Sequence, residues 1–371
     1  MKKKKSPRPS HAKGNGNGNG NGHGNGNNGN GHGHGSNGNG HGSNGDDKEG
    51  KAAEQARVLA AVRSKLCELY TDVRLFGAVM SGGRKEGGWN GGSFTGPVQF
   101  EISASVNIPH ITEYGITRVA IANEALSESR DANQTMGNKF VATYALFNTQ
   151  GHVDPYRADA TEMTYLDLRR LLGDVVCLFA NDTSAARPSM RVRKVVVFKH
   201  KSKLGDCPPY VLEKLINIQQ TTANPQSYED FDITIAPSPT PDVETFAFEP
   251  WPVPDASIDR MMAGLAENAV VANRWDMAVI WEAIRSNPNG DPDNANHPRV
   301  NAATRRCEVT DMCLKRKIRD RLVMVHGLNI YVQRGSVLSL KRKVAFDALG
   351  LNAPPPIDDD AGDEAGDDAV S

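Results

Sequence analysis

An α+β fold built on an antiparallel sheet is the class this sequence predicts, and three observations predict it. Val98, Phe100, Ile102, Ala104 and Val106 alternate with Gln99, Glu101, Ser103 and Ser105. That period of two marks a half-buried strand. Further strand-like and helix-like patterns mix at hairpin-like spacing, which disfavours a doubly wound sheet. The chain has 371 residues, with an ordinary apolar content, and so can bury a sizeable core.

The elements follow in order. Residues 14–45 are a Gly/Asn repeat carrying His23, His32, His34 and His41. Such a segment cannot bury enough apolar surface to offset its ordering entropy, so a flexible tail is expected and its histidines decorate the repeat. Order is expected to begin near Lys51. Residues 52–69 read as a helix with Val58, Val62, Leu66 and Leu69 on one side. After the strand at 98–106, residues 139–147 and 193–198 are further strand candidates. Thr164, with Asp167 three residues on, opens a helix by a capping-box pattern; its apolar face runs Leu168, Leu171, Leu172, Val175, Phe179. Phe231, Ile233 and Ile235 alternate in a short strand. Residues 236–254 are Pro-rich and acidic and read as a linker. A helix over 258–271, a strand at 277–284, a helix over 310–325 ended by Gly327, and a strand at 328–332 complete the expected core.

Charge is almost balanced, with 43 Lys+Arg against 44 Asp+Glu, but the balance hides opposed blocks. Residues 2–5 are lysines, and residues 358–368 carry only acids among their charged groups. Both read as solvated tails. The five cysteines form no CxxC pair, and residues 1–10 lack the apolar stretch of a secretory signal, so a reduced, cytosolic protein is expected. No run approaches the ~18 apolar residues of a membrane span, and no membrane partner is expected.

Basic residues cluster locally. Arg187, Arg191, Arg193, Lys194, Lys199, Lys201 and Lys203 fall in one stretch without an acid. Residues 299–343 carry twelve bases against Glu308, Asp311 and Asp320. In the 310–325 helix, Leu314, Ile318, Leu322 and Val325 share the core face. Lys315 and Arg319 flank it on one side, Lys317 and Arg321 on the other, and Arg316 points away. Clustered cations on a rigid element suit a phosphate backbone; a solvated charged face is the plainer alternative. Aromatics are few, which argues for a grip on sugar and phosphate rather than base stacking.

Two loops stand out. Residues 81–92 are Gly-rich with Arg84 and Lys85 but lack the Gly-Lys-Ser/Thr ending of a phosphate-binding loop. A nucleic-acid-contacting loop and a plain connector both fit. In the segment 287–293, Asn287, Asn289, Asp291 and Asp293 alternate as in a calcium loop, but the glycine is misplaced and Pro298 stands at the twelfth position. A tight turn that sets backbone amides and Arg299 beside a phosphate chain fits better. No Ser/His/Asp or Cys/His group is recognisable, and His200 and His326 read as structural.

These segments carry a family resemblance when read in cyclic order. The runs are Asp72-Val-Arg-Leu-Phe-Gly77, Gly96-Pro-Val-Gln-Phe100, Ile116-Thr-Arg118, Thr135-Met-Gly-Asn-Lys139, Asp182-Thr-Ser-Ala-Ala-Arg187, Ser202-Lys-Leu-Gly205 and Ser227-Tyr-Glu-Asp230. Asn287-Pro-Asn-Gly-Asp291 and Leu314-Lys-Arg-Lys-Ile-Arg319 complete the set. Together they resemble the backbone-subunit family of the type I-C CRISPR effector complex, the seventh Cas family. In that family the Asn287-type motif sits near the N-terminus, so the chain resembles one circularly permuted copy.

The resemblance implies an RNA-recognition-motif-like (ferredoxin-like) antiparallel palm with inserted finger and thumb elements. It implies a tail over 1–50, one RNA-binding domain over 51–351 and an acidic tail over 352–371. Within the domain, 51–235 would be the family's C-terminal part, 236–273 a connector and 274–351 its N-terminal part. Residues 118–139 would form the thumb. It implies a non-catalytic prokaryotic cytoplasmic subunit, without cofactor or metal, that polymerises along guide RNA. Its partners would be the guide, target DNA paired to it, further copies and other effector subunits. The expected RNA-binding residues are Arg299, Lys315, Arg316, Lys317, Arg319, Arg84, Lys85, Lys139, Arg187, Lys203, Asn287 and Asn289. The alternative is a metal-dependent ribonuclease using Asp291 or Asp293.

Overall fold

The computed structural model describes residues 46–81, 90–118, 135–250 and 255–353. The chain divides into a unit of residues 1–51 and a unit from Ala52 onward, and the sheet with its covering layers belongs to the second. Helices α1 (Asp46–Leu69) and α2 (Thr71–Phe76) lead into strands β1 (Gly77–Ser81), β2 (Asn90–Thr95), β3 (Val98–Phe100), β4 (Ser103–Ala104), β5 (Ile111–Arg118) and β6 (Thr135–Val153). Then come α3 (Pro155–Thr161), α4 (Tyr165–Val176), β7 (Ser189–His200), α5 (Pro209–Glu213), β8 (Ile216–Gln220), β9 (Phe231–Ile235), β10 (Val243–Phe248) and α6 (Asp255–Met262). The remainder is β11 (Trp275–Ser286), β12 (Gly290–Asp291), β13 (His297–Pro298), β14 (Glu308–Val309), α7 (Asp311–Met324) and α8 (Leu338–Ala348).

The central sheet runs β10-β7-β11-β6-β3, with β5 also paired to β6, and every adjacent pair is antiparallel. Strand β11 lies in the middle. It is buried on both faces, which is why 277–284 reads as a continuous apolar run. Met277, Val279, Trp281 and Ala283 join one core, with Leu168, Leu171, Val175, Leu314, Ile318 and Leu322 from α4 and α7. Ala278 and Ile280 join another, where Leu212, Ile216 and Phe231 from α5, β8 and β9 cover the opposite face. A third cluster sets Val62, Leu66 and Cys67 of α1 against Tyr331, Ala345 and Phe346.

Several expectations hold in detail. The capping box is formed: the Asp167 N–H donates to Thr164 Oγ1, and the Thr164 N–H donates to Asp167 Oδ2 at 3.1 Å. Thr310 caps α7, and Gly327 takes φ +64° after it.

Four expectations are corrected. The strand at 98–106 is interrupted. Glu101 and Ile102 are both exposed, so the side-chain parity flips, and Ser103 and Ser105 are buried in place of Ile102 and Ala104. The flip is stabilised by polar contacts: Ser103 Oγ lies 2.7 Å from Thr149 Oγ1, and the Cys307 N–H donates to Ser105 Oγ. Residues 328–332 form no strand, because their backbone groups bond to α2. The N–H groups of Tyr331 and Val332 donate to the Asp72 carboxylate at 2.6 and 3.0 Å, and Asn329 O accepts the Thr71 N–H. The segment 236–254 is more than a linker, since β10 pairs along β7 and buries Val243. Helix α6 ends at Met262, well short of residue 271; Gly264 follows with φ +78°. Helix α8 stands where no element was expected.

Candidate nucleic-acid interface

The candidate site forms where β11 ends. Asn287 continues from the strand, and its N–H donates to Ala186 O at 2.8 Å, docking the loop on the 182–187 turn. Its side-chain amide donates to Asn296 O at 2.7 Å, closing the loop on itself. A Cβ at Gly290 would lie 1.9 Å from Asn296 Oδ1, so any larger residue there would push the Asn296 side chain aside. Ala295 and Asn296 both take left-handed φ values, 45° and 59°, a cost that a tightly bonded turn can sustain. The Arg299 N–H donates to Asn289 O, and the Asn289 amide reaches Thr310 Oγ1 at 3.3 Å, tying the loop to the start of α7.

This loop, the 182–187 turn and strand β6 meet at one end of the sheet. Arg299 pairs with Asp291 at 3.1 Å, and Arg187 with Asp182 at 3.0 Å; both guanidinium groups keep over a third of their side chain exposed. Phe140 of β6 stacks on His297. Lys139 precedes it on the same strand and therefore points to the other face of the ribbon. Asn287 is buried and holds the loop rather than presenting itself to solvent.

The α7 cations are a correction. Lys315, Lys317, Arg319 and Arg321 were expected along exposed flanks and are buried. Helix α2 covers one flank and α4 with the following turn covers the other. Lys315 donates to Gln99 and Asp311, Arg319 to fully buried Asp72, Arg321 to Asp174, and Lys317 to Asp182. Only Arg316 of the α7 cations expected to bind RNA faces solvent, and it pairs with Asp320 one turn on. A cation whose charge is already met inside the fold holds structure first.

Lys203 is not brought to this end. It pairs with Asp159 and lies over the Tyr156 ring beyond the far end of β7. One twelve-residue strand separates the two ends, roughly 35 Å at about 3.3 Å per residue. Arg84 and Lys85, residues 119–134 of the expected thumb, the histidine-bearing repeat and the acidic run lie outside the described residues. Asp291 and Asp293 belong to no group of three or more potential metal ligands among the described residues.

Sequence reasoning missed Arg285, an exposed cation held at φ 45° beside the loop, whose signal was adjacency to Asn287. It also missed the acids that neutralise α7. Their signal was an acid inside an apolar pattern, as with Asp174 between Leu172 and Val175. Glu282 in β11 is another such acid; it is buried and accepts Arg191 at 2.9 Å and the Tyr144 hydroxyl at 3.0 Å.

The fold and site define an α+β protein whose antiparallel sheet presents clustered arginines on a bonded loop at one end. A family model described as CRISPR-associated protein Cas7 matches residues 27–236 and 273–367, and the chain belongs to that family. It is 38% identical over 79 residues to the CRISPR-associated protein Cas7 of Haloferax volcanii, an alignment covering 21% of this chain and 23% of that relative. The segment 237–272 lies outside the family match, yet supplies β10 to the sheet. No described helix is long and apolar enough to cross a membrane.

Proposed function

We propose that this chain is a non-catalytic guide-RNA-binding backbone subunit of a type I-C CRISPR effector complex in the prokaryotic cytoplasm. Several copies would coat the spacer part of the guide beside other effector subunits and leave base edges free to pair with target DNA. The observation that carries this reading is convergence. The 182–187 turn and the 287–299 loop lie a hundred residues apart in the chain, are both family-like, and are bonded together so that Arg187, Arg285 and Arg299 crown one end of the sheet.

The sheet order supports the finer fold. Read from β11, the elements run β11-α7-β3-β6-α4-β7, and the strands lie in the order β7-β11-β6-β3. These core elements follow a βαββαβ succession with the fourth, first, third and second strands side by side, which supports a ferredoxin-like reading. On this reading the chain is one permuted copy, with 237–272 bridging the original termini and the new opening between α8 and α1, which pack together.

The test is RNA binding against salt. Log affinity should fall with log salt at roughly −0.7 per neutralised phosphate. Replacing Arg187 and Arg299 by alanine should make the slope shallower by about one to two phosphates' worth. An unchanged slope would remove this end of the sheet from the interface.

A further inference from the structure

The loop end of the sheet carries more positive charge than the described fold meets. Beyond Arg299 the chain turns back on itself: Val300 bridges Cys307, the Asn301 N–H donates to Arg306 O, and the Arg305 N–H donates to Asn301 O. The tip of this excursion carries Arg305, held at φ 57°, and Arg306, both exposed. It lies two residue pairs beyond Arg299, about 7 Å at ~3.3 Å per residue. Arg187 and Arg299 each have one carboxylate partner. The guanidinium groups of Arg285, Arg305 and Arg306 have none among the described residues. Cations gathered in this way attract a polyanion.

The chain carries one of its own. From Asp359 the sequence repeats two acids followed by Ala-Gly, with acid pairs at Asp359-Asp360, Asp363-Glu364 and Asp367-Asp368. With Asp358 that makes seven acids in eleven residues, one charge per about 5 Å of extended chain. A strand of duplex nucleic acid carries one per about 3.4 Å of its axis. The two line densities are comparable, and a carboxylate accepts from a guanidinium as a phosphate does. The acidic run also has the reach. Leu351 and Ala353 pack on the cluster of α1, α8 and Tyr331. The Tyr331 N–H donates to Asp72, Asp72 accepts from Arg319, and Thr310, nine residues back along α7, accepts from Asn289 of the loop. That helix span is roughly 13 Å at 1.5 Å per residue. The fifteen residues from Ala353 to Asp368 extend to about 50 Å.

We propose that residues 358–368 dock on the arginines at this end of the sheet and compete there with RNA, so that a strand must displace the chain's own acidic run to bind. The proposal rests on the RNA-binding reading above and adds a regulation to it. It acts on charge alone, reads no sequence and leaves base edges free.

The experiment sets the full chain beside a full-length variant with Glu364→Gln and the six aspartates of the run changed to asparagine. One readout is trypsin nicking after Arg305 and Arg306 without RNA, since exposed loop tips are where nicking occurs. The other is affinity for an oligouridylate of about twelve nucleotides. If the run covers the arginines in about nine chains in ten, the variant should be nicked there about tenfold faster and bind RNA about tenfold more tightly at ~50 mM salt. Both gains should fade as salt rises. Nicking after Lys201, exposed at the far end of the sheet, should be equal in the two chains. Equal nicking after Arg305 and Arg306 would overturn the docking and leave the run to solvent or to Lys2–Lys5; an affinity gain beside it would be repulsion at a distance. Faster nicking without tighter RNA binding would overturn the competition. If neither chain binds RNA, the RNA-binding reading fails and the competition with it, while the nicking, which needs no RNA, still decides the docking.

Discussion

Asp72 is fully buried, and its carboxylate collects the Arg319 guanidinium and the N–H groups of Tyr331 and Val332. One side chain thus joins α2, α7 and the segment after α7. Removing one partner of a buried pair strands the other charge, so Asp72→Ala should cost about 3–5 kcal/mol, read from the urea midpoint. The Asp72→Ala, Arg319→Ala double variant should cost less than the sum of the two. Asp276 is a second case at the far end of the sheet. Burial raises its carboxyl, but the His200 hydrogen bond and the paired Arg274 outweigh this and hold it below the ordinary value. A depressed folded-state pKa stabilises the fold above the unfolded value, ~3.9, and the gain is lost as pH falls through the folded value. Asp276→Asn should therefore be much less stable than the parent at neutral pH, and the gap should close in acid. A gap that stays constant down the titration would count against this pair.

Helix α7 shows why charge pattern misleads at the scale of an element. Its apolar face was legible, since Leu314, Ile318 and Leu322 are all buried as their spacing requires. The roles of its cations were not, because exposure depends on α2, α4 and the 177–187 turn, which meet α7 only in the folded chain. We expect Lys317→Ala to lower the unfolding temperature markedly and Arg316→Ala to leave it within about a degree, since exposed pairs contribute little. Equal effects would mean that the flank around Asp182 is open. The same limit explains the other corrections. Capping and period are local, so α4 and strands at 139–147, 193–198 and 277–284 were readable. The parity flip after Phe100 depends on Thr149 and Cys307, and the fate of 328–332 depends on Asp72. Of the candidate site, Asn287, Asn289, Arg299 and Arg187 were named from the turn pattern and the family resemblance; that they meet, and that Asn287 is buried in holding the loop, was a matter of tertiary structure.

At the scale of the molecule, the proposed permutation makes a direct demand. A chain reordered to run 273–353 and then 52–236 should fold to the same sheet, provided a short flexible joint connects α8 to α1, whose contact already brings those segments together. Its circular dichroism and cooperative unfolding should match the parent, less the contribution of β10 at the edge. A reordered chain that stays unfolded, with or without 237–272 restored, would refute the single permuted copy.

The central position of β11 also bears on how the protein is born. Ribosomes deliver residues 135–200 well before residues 275–286, so β6 and β7 emerge as neighbours of a strand that does not yet exist. Until it arrives, each presents a long row of unpaired amides and carbonyls, a template for pairing with other chains. At ~5–20 residues per second, the gap lasts several seconds. A chain stopped at residue 250 should therefore aggregate during expression, and co-expressing residues 255–371 should return it to the soluble fraction as a two-piece complex. Solubility of the stopped chain by itself would show that its sheet closes without the missing strand.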